Sequence, residues 1–253
     1  MDKTSPDFLR VLRDERKDLF NRMRQTRFES LKENYSHSQI IPFASYSPWL
    51  DDAAFSDIHE AVKAFTLVDV YRCYALYQLA RQSQAVPGDL VEVGVWRGGT
   101  AALIAKAAPT KVMHLFDTFT GVAKGDPRFD TLYEGGEHAD TDEQIVRDLF
   151  ERTGSPYRMH PGLFPDETGS SLPERVALAH IDVDTYRSVK ESFEAIWPRV
   201  PVGGVVVFDD YGMFGCEGAA QAINEIAAGY PGDLFVHNLN GHAFLAKRVT
   251  RAG

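Results

Sequence analysis

Hydrophobic positions along this chain follow two rhythms. Up to residue 84 they recur every three or four residues, the spacing of amphipathic helices. Leu9, Leu12, Phe20, Met23 and Phe28, set among charged residues, mark one or two helices within 1–36. The stretch "DIHEAVKAFTLVDVYRCYALYQLARQSQ" predicts a single helix over 57–84. Residues 37–56 are rich in Ser, Pro and aromatics and read as a connecting loop. "VPGD" at 86–89 ends the helical half. Short apolar runs then alternate with amphipathic ones. "DLVEVGV" (89–95), "KVMHLFD" (111–117), "YRMHPG", "VALAHIDVD" and "GGVVVFDDY" predict strands. The segments 98–107, 141–154, "TYRSVKESFEAIWPRV" and "CEGAAQAINEIAAGY" predict helices, with Thr141 as a cap and Gly154 as a stop. Two alternating runs around Asn240-Gly241 have the signature of a β-hairpin.

Strands alternating with helices about five times predict an α/β fold: a mainly parallel sheet covered on both faces, with at least one antiparallel strand from the hairpin. The organisation expected is a helical arm and loop over 1–56 followed by one α/β domain over 57–253. In such sheets ligands bind beyond the carboxyl ends of the strands. The residues there are Glu92 to Gly94, Asp117, Gly162, Asp182, and Asp209 with Asp210.

Composition narrows the partners. The 253 residues are 44% hydrophobic and 25% charged, ordinary globular values, with a net charge of −9. Residues 1–36 carry nine Lys/Arg against seven Asp/Glu, so the remainder is more acidic than the whole. That balance points away from nucleic acid as the main partner. Two distant cysteines, Cys73 and Cys216, argue against a disulfide scaffold and fit a reducing cytoplasm. The N-terminus is too charged for a signal peptide, and no apolar run reaches membrane-span length. The apolar stripe of the N-terminal helices must pack on its own domain or on another subunit, and a homo-oligomer through these helices is the expectation.

The strand ends carry the candidate chemistry. "VEVGVWRGGTAALIA" is a strand, a glycine turn and a helix start. Gly94 lets the backbone turn, Gly98 and Gly99 allow a ligand close to the main chain, and the helix start faces an anion with open N–H groups. The spacing is not the dinucleotide fingerprint, and no P-loop ending follows, so a carboxylate is the better anion. Asp117 ends the next strand, where an acid can accept the hydroxyls of a ribose. Asp182, Asp184, Asp209 and Asp210 end two further apolar runs. On an extended strand Asp182 and Asp184 share a face. Three hard oxygen donors suit Mg²⁺ or Ca²⁺, whereas zinc-type His or Cys spacing is absent. Helix caps and turn acids are the structural alternative for all of these. His138 is the best catalytic candidate among scattered histidines. It sits in an irregular stretch, 119–140, long enough to be a lid or a substrate wall. No nucleophile elbow is present.

Together, "VEVGVWRGG", "FDTFTG", "HIDVDTYRS" and "GGVVVFDDYG" resemble the macrocin/mycinamicin-type O-methyltransferases. The likeness covers about residues 60–247 and is dense from 90 to 212. It implies the class I methyltransferase (Rossmann-like) fold, seven strands with the last antiparallel. It also implies a divalent metal, usually Mg²⁺, on Asp182, Asp209 and Asp210, with Asp182 as base. S-adenosylmethionine would lie on Glu92, Gly94, Gly98, Gly99 and Thr100, with Asp117 on the ribose and Phe119 near the adenine. "FTLVDVYR" (65–72) resembles the family's cofactor-covering helix. Val183 replaces a glycine the family often has between the acids, and loop 119–140 departs from the macrolide enzymes. The acceptor implied is a small hydroxylated molecule: a natural-product or glycan sugar, or alternatively a phenol or catechol. Rival readings are a metal-independent methyltransferase, a dinucleotide-dependent oxidoreductase without its fingerprint, and a non-catalytic S-adenosylmethionine-binding protein.

Overall fold

The computed structural model describes residues 5–28, 30–33, 35–42, 44 and 46–249. The chain divides into two compact units, Met1–Ser47 and Pro48–Gly253. In the first, helix α1 spans Pro6–Gln25, and the pairs 27–28 and 37–38 form a short antiparallel ladder. The side chains of Leu9, Leu12 and Phe28, on which the expected N-terminal stripe partly rests, lie outside the described residues. No helix among the described residues is long and apolar enough to cross a membrane.

The second unit contains a seven-stranded sheet. Its strands are β1 (Asp89–Val93), β2 (Met113–Asp117), β3 (Tyr157–Pro161), β4 (Val176–Ile181), β5 (Val205–Tyr211), β6 (Leu234–His237) and β7 (Gly241–Ala246). Their order is β3-β2-β1-β4-β5-β7-β6, and only β7 runs antiparallel to its neighbours. This is the class I methyltransferase arrangement that the resemblance implied. The central strands read as continuous apolar runs because both faces are covered. One face packs against α2 (Ala53–Val62), α3 (Val70–Ser83), α4 (Gly99–Ala107) and α5 (Glu143–Thr153). The other packs against α6 (Tyr186–Ile196) and α7 (Glu217–Gly229). In α6 the buried side chains Ser188, Val189, Ser192, Phe193 and Ile196 repeat every three or four residues, so one stripe docks on the sheet.

The sequence expectation of one helix over 57–84 is corrected. α2 starts at Ala53, inside the expected loop, and is followed after a short turn of 3₁₀ helix by extended backbone at Thr66. Asp69 then restarts helix as the cap of α3, accepting hydrogen bonds from Tyr71 N and Arg72 N. The apolar period runs unbroken through this gap, which hid it. The cap of α5 is Asp142, which accepts from Ile145 N at 2.8 Å, and not Thr141. The stop at Gly154 is left-handed, as glycine permits.

Candidate active site

The carboxyl ends of β1, β2, β4 and β5 open into a cavity of about 220 Å³. Gly94, Val95, Trp96 and Thr100 form one wall. Gly94 adopts φ +84, and a Cβ there would lie 1.7 Å from the carbonyl oxygen of Asp182. The glycine is therefore needed where two strand-end loops cross. Asp117 organises the same turn. Its Oδ2 accepts from Val95 N (2.6 Å) and Trp96 N (2.9 Å), and its Oδ1 accepts from Phe119 N (2.6 Å). Three of about four acceptor positions are used, which leaves one for a ligand hydroxyl.

Not every residue expected at the cofactor faces the cavity. Gly162, Thr100 and Asp117 do. A Cβ on Gly99 would meet the backbone of Phe65 at 2.6 Å, and one on Gly98 would meet Val146 at 3.2 Å. Neighbouring protein therefore leaves no room for a side chain at either position. Phe119 packs at the edge of the core. Glu92 is fully buried under the site, where its Oε1 is 2.6 Å from His180 Nδ1.

Asp182, Asp209 and Asp210 come together, each offering an oxygen within 4.8 Å of the others. Strand geometry alone would send the adjacent Asp209 and Asp210 to opposite faces. An irregularity in the β5–β7 ladder between Phe208 and Tyr211, with Asp210 at φ 62, turns both into the same space. β4 ends at Ile181, so Asp182 and Asp184 are not on one strand face, and Asp184 also sits left-handed at φ 62. Asp184 neighbours Asp210 and Tyr133 and lines the same cavity. Burial, then the like charges of their neighbours, push the carboxyls of Asp182 and Asp210 well above the usual range. Burial opposes ionisation of Asp209 too, but the His242 ring and the Arg72 guanidinium hold it below that range. Burial drives His242 itself towards its neutral form, against the pull of Asp209. Hard oxygen donors, raised carboxyls and the buried, unpartnered Asp210 Oδ2 fit a divalent cation such as Mg²⁺.

The irregular segment after β2 forms the opposite wall through Gly121, Val122, Ala123, Tyr133, His138 and Thr141. It is tied down at both ends. Asp140 accepts from Trp96 Nε1 (2.9 Å) and from Arg97 Nη2 (2.7 Å), and Thr141 Oγ1 donates to the Trp96 carbonyl. Ala123 O accepts from Thr185 Oγ1 and Ser188 Oγ. Buried Asp130 accepts from Tyr186 N (2.9 Å) and Asp126 N (2.9 Å). Asp130→Ala should therefore loosen this wall alone. Its expected outcome is an acceptor KM about tenfold higher and about 2 kcal/mol less stability, with cofactor affinity unchanged. Michaelis kinetics and a denaturant melt measure these; an unchanged KM would detach the loop from acceptor binding.

Sequence reading missed Arg72, His180 and His242. Arg72 shares the helix row of Leu76, Ala80 and Ser83, all buried, and a charged residue in a core row was a usable signal. His180 and Glu92 face each other across β4 and β1. His242 Nε2 lies 2.6 Å from Asp209 Oδ1, off the line of a good hydrogen bond.

A family model described as Macrocin-O-methyltransferase (TylF) matches residues 50–228. The 8-demethyl-8-(2,3-dimethoxy-alpha-L-rhamnosyl)-tetracenomycin-C 4'-O-methyltransferase of Streptomyces olivaceus is 33% identical over 153 residues, 55% of this chain and 59% of its own. The mycinamicin III 3''-O-methyltransferase of Micromonospora griseorubida is 29% identical over 202 residues, 73% of this chain and 80% of its own. The solved O-methyltransferase NovP has a TM-score of 0.62 at 25% identity, over 73% of this chain and 82% of that one.

Proposed function

The chain belongs to the macrocin O-methyltransferase family of S-adenosylmethionine-dependent enzymes, and from that membership we propose that it methylates a sugar hydroxyl of a natural product or glycan with the help of a divalent cation, usually Mg²⁺. The convergence of Asp182, Asp209 and Asp210 at one end of the cofactor cavity carries the metal-assisted reading. The sugar is supported by the relatives, which are named for methylation of a rhamnosyl tetracenomycin and of a mycinamicin.

The chain's own residues divide the work. The glycine turn at Gly94 and the first turn of α4 at Thr100 line the space for the amino-acid end of S-adenosylmethionine, and Asp117 has an acceptor position left for its ribose. Gly162 lines the same space, and the adenine is proposed to lie near Phe119, which packs against the core. When bound, the cofactor supplies an electrophilic methyl group on a sulfonium. Asp182, Asp209 and Asp210 would hold the cation, which would supply Lewis acidity to make a substrate hydroxyl easier to deprotonate. Asp182 takes the proton from that hydroxyl, and His138 in the loop wall is the second candidate for this role. The wall from Gly121 to Thr141 excludes water and orients the acceptor, and much of the rate gain comes from that orientation. Residues 57–253 are the catalytic domain in this reading, and the homo-oligomer expected from the N-terminal helices is carried by their amphipathic sequence alone.

A methyl-transfer screen over deoxysugar glycosides and catechols with Mg²⁺ tests the acceptor. Methyl ethers of the glycosides are expected; turnover of catechols alone would favour the phenolic reading. Excess EDTA should abolish turnover and added Mg²⁺ restore it. Full activity in EDTA would return the three acids to a structural role.

A further inference from the structure

Arg72 is a buried charge for which the reaction above has no use. Its side chain is 8% exposed although it borders the cavity. Nη1 donates to Asp209 Oδ2 at 2.6 Å, and Nε donates to Asp69 Oδ2 at 2.8 Å. Asp69 is itself fixed, as the cap of α3 and as acceptor from Asn240 Nδ2 in the β6–β7 turn at 3.0 Å. The other oxygen of Asp209 faces His242 Nε2 at 2.6 Å. Each oxygen of Asp209 thus has a neighbour outside the acid cluster, and the Arg72 hydrogen bond holds Oδ2 in place. A carboxylate without such ties can grip a hard cation with both oxygens. A planar fork reaching two acids at once is something guanidinium offers and an ammonium does not.

We propose that Arg72 is a positioning residue of the cation site: it locks Asp209 in one orientation and, by its own charge, keeps the cation more weakly held than the three acids alone would hold it. The proposal rests on the metal-assisted reading of the site. Its consequence runs against intuition. Removing a positive charge in contact with a ligand carboxylate should strengthen cation binding, because a like charge beside the cation is gone. The same removal should slow turnover, because Asp209 becomes free to close on the cation in an unproductive geometry.

The test is Mn²⁺ binding by calorimetry for the wild-type chain, Arg72→Met and Arg72→Lys, with S-adenosylhomocysteine affinity and kcat at saturating Mn²⁺ measured beside it. Arg72→Met should bind Mn²⁺ about tenfold more tightly and lose about 100-fold in kcat, with S-adenosylhomocysteine affinity held within about threefold. Arg72→Lys keeps the charge but not the fork, so its Mn²⁺ affinity should stay near wild type while kcat falls about tenfold. Unchanged or weaker Mn²⁺ binding by Arg72→Met, or parallel loss of both ligands, overturns the proposal in favour of a merely structural arginine. If Arg72→Met does not fold, wild-type kcat in Arg72→Lys overturns it. A wild-type chain that binds no Mn²⁺ brings down the metal-assisted reading, and this proposal with it; binding that ignores residue 72 brings down this proposal alone.

Discussion

Asp182→Asn is expected to lower kcat about 10³-fold while leaving S-adenosylhomocysteine affinity within about threefold. The substitution keeps the volume and removes one anionic oxygen at the meeting point of the three acids. Asp182 lines the cavity and is pressed by Asp209, Asp210 and Asp184, so its carboxylate form needs a positive partner there. An asparagine neither accepts the substrate proton nor holds a cation with the same strength. The backbone of residue 182, which the glycine turn touches, is unchanged, and so the cofactor wall should survive. Single-turnover methyl transfer and calorimetry separate the two effects. Asp184→Asn is the comparison, and it should cost about tenfold because Asp184 neighbours Tyr133 and Asp210 and is not one of the three acids proposed to hold the cation. If Asp184→Asn proves as damaging as Asp182→Asn, the proton acceptor is Asp184 and the assignment made above fails. If Asp182→Asn retains wild-type kcat, the metal-assisted mechanism fails altogether.

Much of this site could be read from the chain because strand ends are marked twice, by a change of period and by the residues that follow. The apolar runs ending at Val93, Asp117, Ile181 and Phe208 placed Gly94, Asp117, Asp182 and Asp209 on one edge of the sheet. The features that were not legible depend on departures from regular geometry or on contacts far apart in sequence. Period-two reasoning put Asp182 and Asp184 on one face, but the strand stops first. The same reasoning separates Asp209 from Asp210, and only the irregularity in β5 reunites them. Thr66 to Asp69 interrupts a helix that hydrophobic period alone carries through. Arg72 and Asp209 are 137 residues apart, and nothing local to either names the other. The glycines of the turn differ in what crowds them: Gly98 and Gly99 lie against protein neighbours, whereas Gly94 lies against the Asp182 carbonyl at the site.

That requirement makes Gly94→Ala the second large effect, and two separate causes can be weighed for it. The first is conformational: φ +84 is a left-handed backbone, which a side chain enters at roughly 1–2 kcal/mol. The second is contact: the added Cβ would stand 1.7 Å from the Asp182 carbonyl oxygen, a backbone atom with no rotamer to escape into. Gly154 isolates the first cause. It too is left-handed, at φ +67, but a Cβ there meets nothing within 4 Å. Gly154→Ala should therefore lose only about 1 kcal/mol, and Gly94→Ala on the order of 3–5 kcal/mol. The clash also lies between the cofactor turn and the start of the acid loop, since Asp182 N donates to the Val93 carbonyl at 2.9 Å. Relief of the clash has to part these two loops. Gly94→Ala is thus expected to weaken S-adenosylhomocysteine binding about 100-fold even at temperatures where the chain remains folded. Denaturant melts and calorimetry on both variants measure this. Equal losses of stability in the two would show that conformation alone governs Gly94. Cofactor affinity unchanged in folded Gly94→Ala would show that the cofactor does not depend on the crossing of the two loops at Gly94.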